Sequence, residues 1–139
     1  MFGTIDRFFD RNLDAGLLVA RLALSAIFIP SGFSKLLHLD TFALGLAARG
    51  VPGGMGMAVL AAAAEFLGGL AVALGFRVRW SALLLMAFTL ASAFVSHRFW
   101  ELEAAQRTMQ YVQFMKNLAI AGGFLALAAA GAGRFRVDR

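Results

Sequence analysis

Four apolar stretches, each close to bilayer length, predict an all-α integral membrane protein: a bundle of four transmembrane helices with an interfacial N-terminal helix and a short surface helix between spans 1 and 2. Composition supports this, since 60% of the 139 residues are hydrophobic and only 15% charged, against roughly 45–50% and about 25% in a soluble domain. The apolar runs recur at the ~20 residues a spanning helix requires. Trp80, Trp100 and Tyr111 stand near the ends of those runs, where amphipathic rings favour the membrane–water boundary.

Residues 1–14 alternate Phe2, Ile5, Phe8, Phe9 and Leu13 with Asp6, Arg7, Asp10, Arg11 and Asp14. That spacing lays an apolar stripe along a short helix suited to the interface. No basic segment followed by an apolar core and a cleavage site is seen, so no signal peptide is expected. The first span covers about 16–37, GLLVARLALSAIFIPSGFSKLL, with a kink expected at Pro30. A surface helix follows at about 41–49. Asp40 is expected as its N-cap, Phe42, Ala43 and Leu46 form its apolar side, and Gly50 with Pro52 ends it. The second span is expected at about 55–76, the third at about 80–100 after the turn FRVRW, and the fourth at about 108–131. A basic tail, 132–139, closes a single membrane domain.

The net charge of +5 sits at the ends of the apolar runs, which reads as membrane topology rather than nucleic-acid binding. Four spans put both termini and the turn between spans 2 and 3 on one side, with Arg7, Arg11, Arg77, Arg79, Arg134, Arg136 and Arg139. Lys35, Arg49, Arg98 and Arg107 fall on the other. The positive-inside rule then places both termini in the cytoplasm. There is no cysteine, which excludes disulfides and thiolate metal sites within the chain.

The polar residues inside the spans carry the functional question. A lysine near the centre of a membrane helix costs about 2.5–3.5 kcal/mol on insertion scales, yet the fourth span carries Lys116. With a rise of ~1.5 Å per residue, Glu65 sits near the midplane of the second span. Gln113, Lys116 and Asn117 fall in the outer half of the fourth. Ser92, Ser96 and His97 occupy that half of the third, and Ser31, Ser34 and Lys35 that of the first. Polar groups from all four helices therefore collect in one layer, with Arg21 apart near the cytoplasmic face. An ion pair of Lys116 with Glu65 is the simplest expectation, with Lys35 or Arg21 competing for the carboxylate. Small neighbours such as Ala61, Ala62, Gly68 and Gly69 allow close approach of another helix. Snorkelling of Lys35 and Arg21 to the headgroups is the alternative, and Glu65 with Lys116 can equally be a structural helix–helix pair.

No Walker loop, HExxH, GxSxG or Rossmann fingerprint is present. No metal site is expected. His38 and His97 both lie toward the outer face, and ligation of haem or a metal through them is a minor alternative with no local spacing to support it.

The order of GFSKLL, LAARGVPGG, AEFLGGLAVALG, HRFW and QFMKNLAIAGG along residues 17–131 resembles the DoxX family, with KNLAIAGG the most specific segment. The resemblance implies a four-helix protein of the bacterial cytoplasmic (inner) membrane. Family members include a subunit of a thiosulfate:quinone oxidoreductase, and others are linked to quinone detoxification or oxidative-stress complexes. The matched family positions are Lys35, Glu65, His97, Gln113, Lys116 and Asn117, the residues of the polar layer.

The leading expectation is a membrane component of a redox system that binds a quinone or quinol in that layer. Glu65 and His97 are the candidate catalytic groups, exchanging protons. Lys35, Gln113, Lys116, Asn117, Ser96 and Trp100 are the candidate ligand-binding residues. Any electron donor must be a partner protein, because the chain shows no flavin or metal motif; the lipid bilayer and a homo-oligomer complete the expected partners, without nucleic acid. Two alternatives remain open. One is a non-enzymatic scaffold that docks soluble redox or stress enzymes on the basic cytoplasmic face. The other is a small proton-linked carrier gated by Glu65 and Lys116.

Overall fold

The computed structural model describes residues 2–138, so expectations placed on Met1, on the Phe2 side chain and on Arg139 fall outside it. The chain is an all-α membrane bundle. Its helices are α1 (Phe2–Leu37), α2 (Leu39–Ala48), α3 (Gly54–Leu74), α4 (Val78–Ser96) and α5 (Ala104–Ala130), with a 3₁₀ turn at Phe99–Glu101 before α5. Among the described residues, four helices are long and apolar enough to cross a membrane, and α2 is the shorter apolar one.

The N-terminal segment and the first span form one continuous helical run whose single break in helical dihedrals falls at Asn12 (φ −115°, ψ 17°). Its amide reaches back to Phe8 O at 2.8 Å, the local competition for backbone acceptors that disturbs a helix. Dihedrals stay helical at Pro30, where a kink was expected. Asp40 does not cap α2 either: the helix starts two residues earlier, His38 occupies the cap position, and Asp40 lies in the first turn. There its carboxylate still complements the positive end of the helix dipole. At the other end of α2, Val51 N donates to Leu46 O and Gly50 N to Ala47 O, the paired bonds that satisfy the last carbonyls.

In space the helices run α1–α3–α4–α5 around the bundle. α1 packs along α3, α3 along α4 and α4 along α5, while α1 and α5 touch only lightly. α3 and α5 make no close backbone approach among the described residues. The α1–α3 contact is set by size. A Cβ on Gly32 would fall 2.5 Å from Phe66 N, so the backbones meet as closely as small residues permit in a medium that gives helices no hydrophobic drive to associate. Gly32→Ala is expected to push the helices apart and cost about 1–3 kcal/mol, read as a lower melting temperature in detergent.

Phe28, Val72, Leu85, Phe124 and Leu127 form the packed centre, with Phe28 and Phe124 edge to face at 5.2 Å. The end holding the termini is stitched by polar contacts. Arg21, fully buried, donates to Ala132 O at 2.9 Å and to Phe135 O. Arg134 N donates to Asp14 Oδ1 at 2.9 Å. The tail after α5 therefore folds back under α1 and the α3–α4 turn.

Candidate functional site

The bundle's half away from the termini contains a polar cleft of about 200 Å³. Every long helix contributes to its wall: Ser31 and Lys35 from α1, Glu65 from α3, Thr89 and Ser92 from α4, and Gln113, Lys116 and Asn117 from α5, with His97 at the end of α4. Six of the eight predicted site residues thus border one space.

Within it, the partner of Glu65 is Lys35 and not Lys116. Lys35 Nζ lies 2.5 Å from Glu65 Oε2, with the carboxylate side chain 5% exposed and the lysine 30%. The reason lies in packing. The Gly32–Phe66 contact draws Lys35, one turn further along α1, onto α3, whereas Lys116 rides on α5, which packs on α4 instead. Lys35 is also seated over two rings, Phe42 of α2 at 5.2 Å and Phe88 of α4 at 5.8 Å, a favourable setting for a desolvated cation. Neither ring was expected at the site, since aromatic residues in a membrane sequence carry no signal that separates a cation seat from ordinary packing. Lys116 is exposed and forms no ion pair among the described residues.

His97 ends α4 at φ −124°, ψ 51°, and this departure from helical geometry turns its ring toward α5. Its Nδ1 lies 2.8 Å from Gln110 Oε1. A carbonyl oxygen only accepts, so the imidazole donates through Nδ1, and in the neutral ring Nε2 is then the acceptor. Gln110 was missed, although it shares the helical face of Gln113 and Asn117 and extending that face by one turn finds it. Thr89 satisfies its hydroxyl within its own helix, donating to Leu85 O at 2.6 Å.

Two predicted residues stand outside the cleft. Ser96 is the last residue of α4, and the turn that brings in His97 leaves its hydroxyl out of the lining. Trp100 is 44% exposed and packs with Phe94, Phe99 and Phe114, an aromatic cluster where the chain turns into α5. His38 is exposed and bonds Ser34 O at 2.9 Å; it does not line the cleft with His97. Among the described residues, no three of His, Asp and Glu are grouped to hold a metal ion.

Ile27 and Ile120 line the cleft and also line an apolar groove of about 700 Å³ between α1 and α5, neighbours that touch only lightly. From Ile27 the groove runs to Leu17, roughly 15 Å along the helix at ~1.5 Å per residue. Small residues, Ala20, Ala23, Gly123 and Ala126, form much of its floor.

A family model described as DoxX matches residues 16–98. Inner membrane protein YphA of Escherichia coli (strain K12) is 36% identical over 123 residues, 88% of this chain and 88% of that protein. Inner membrane protein YqjF of the same organism is 40% identical over 126 residues, 91% of this chain and 92% of that protein. No solved structure matches the chain significantly.

Proposed function

The chain belongs to the DoxX family, and on that premise we propose that it is an inner-membrane component of a redox system that holds a quinone or quinol in the polar cleft. One observation carries the reading: a cleft bordered by donors and a buried ion pair adjoins, at Ile27 and Ile120, an apolar groove that runs about half the depth of the hydrocarbon core. A compact polar head on a long apolar tail fits that combination, and neither a purely polar solute nor a simple hydrocarbon does.

A bound quinone would supply the electron-accepting chemistry, and the residues have distinct tasks around it. Gln113, Asn117 and Lys116 bring N–H donors to the head and favour negative charge developing on an oxygen. The free Nε2 of His97 accepts or returns a proton. Glu65, neutralised by Lys35, supplies a second proton-exchanging group without leaving an uncompensated charge in the membrane. Electrons come from a partner protein. The terminal end, with Arg7, Arg11, Arg77, Arg79, Arg134 and Arg136, faces the cytoplasm by the positive-inside rule, so the cleft lies in the outer half of the bilayer.

The test is chemical. Protein purified in mild detergent is extracted, and the extract is assayed for quinones by chromatography. The expected result is near-stoichiometric quinone that is largely lost from a Gln113→Ala/Asn117→Ala variant, whose two missing donors, worth about 1 kcal/mol each, weaken binding about thirtyfold. An extract without quinone, or an occupancy unchanged by the double substitution, would overturn the reading.

A further inference from the structure

The end of the bundle that holds the termini carries a separate cleft of about 550 Å³. Arg77, Arg79, Arg134 and Arg136 line it, with Asp138 as its one carboxylate. These arginines are not equally committed. Arg79 Nη1 donates to Ala128 O at 2.7 Å and Ala129 O at 2.8 Å, closing the last turn of α5. Arg134 Nε lies 3.4 Å from Asp14 Oδ2. The side chains of Arg77 and Arg136 have no hydrogen-bond or ion-pair partner among the described residues.

α4 also begins in this cleft. Trp80 N and Ser81 N donate to Arg77 O, while the amides of Val78 and Arg79 have no acceptor within the helix, and the helix dipole adds positive potential there. The chain already sets one anion against this site: Asp138 Oδ2 accepts from Arg77 N at 2.8 Å. Asp138 does not fill the volume, and together with Asp14 on Arg134 it sets only two carboxylates against four guanidinium groups.

We infer that the cleft binds the phosphate of an anionic phospholipid headgroup beside Asp138. Guanidinium groups match phosphate oxygens in pairs, and a helix N-terminus favours the same charge. Its depth selects a lipid over a soluble anion or an acidic protein. The wall includes Trp80, 74% exposed, and the cleft sits where the spans α4 and α5 end, the level at which tryptophan side chains meet headgroups. A zwitterionic lipid offers the same phosphate together with a cation that the arginines repel, so anionic lipids are preferred.

The full chain in detergent is titrated with phosphatidylglycerol or phosphatidylcholine, and retained lipid is read by native mass spectrometry. Phosphatidylglycerol is expected to be retained about tenfold more strongly, and Arg77→Gln/Arg136→Gln to abolish most of that preference. Those two side chains hold no backbone, so the fold is spared. Asp138→Asn removes the resident carboxylate and is expected to strengthen phosphatidylglycerol retention about threefold, a gain that damage to the fold does not produce. Equal retention of the two lipids, or a preference untouched by the double substitution, would overturn the inference. So would full displacement by millimolar inorganic phosphate, which would mark a soluble-anion site, or binding of an acidic peptide with no preference between the lipids, which would mark a protein dock.

Discussion

Lys35→Met is expected to lower the melting temperature of the detergent-solubilised protein more than any other single change in the polar layer, at a cost of about 3–5 kcal/mol. It leaves the carboxylate of Glu65, 5% exposed, without its paired cation. The reverse change, Glu65→Gln, is expected to cost less. Lys35 lies in the last turn of α1, with 30% of its side chain exposed, and its long stem can carry the ammonium toward the headgroups once the carboxylate is gone. The double variant Lys35→Met/Glu65→Met is expected to recover most of the loss, because two apolar side chains need no partners. Lys116→Met is expected to change stability by under about 0.5 kcal/mol, as an exposed side chain without an ion pair. Melting followed by intrinsic tryptophan fluorescence separates these cases. A Lys116→Met loss equal to that of Lys35→Met would return the role of counter-ion to α5.

The junction of Arg21, Gly75 and the C-terminal tail is the second place where one substitution is expected to act strongly. Gly75 ends α3 at φ +80°, a conformation few side chains tolerate. A Cβ there would meet the Arg21 guanidinium and lie 2.8 Å from Arg136 Cα. Gly75→Ala therefore combines left-handed backbone strain with a clash against backbone, at about 3 kcal/mol together. Arg21→Met reaches the same junction from the other side. It strands the carbonyls of Ala132 and Phe135, each worth about 1–3 kcal/mol when left unpaired. Both variants are expected to loosen the tail before the bundle melts, so limited trypsin digestion should cut at Arg134 and Arg136 at protein concentrations where the unaltered chain stays intact. A tail equally protected in both variants would show that Arg21 does not hold it.

Read from its residues, the polar layer was legible because depth in a membrane is nearly a function of sequence. A helix of fixed rise crossing a slab of fixed thickness assigns each polar residue a level. Lys35, Glu65, His97, Gln113, Lys116 and Asn117 fall at neighbouring levels on four helices and meet around one cleft. Rotation about the helix axes and the choice of neighbours are not coded that way. Ser96 and Trp100 lie at a suitable level and yet miss the cleft, because the chain leaves helical geometry at His97 and the ring of Trp100 joins Phe94, Phe99 and Phe114.

The all-α class and the levels of the charged groups thus follow from local composition and period, which any stretch of chain carries by itself, while the family resemblance rests on the order of a few specific segments from GFSKLL to QFMKNLAIAGG. The tertiary structure alone decided that Glu65 pairs with Lys35, that Arg21 is buried against the tail instead of reaching the headgroups, and that a groove opens between α1 and α5. Each depends on which helices pack together, and in lipid that choice rests on backbone approach at small residues such as Gly32 and on the pairing of buried polar groups. Both are properties of two distant segments at once, so neither is written in one of them.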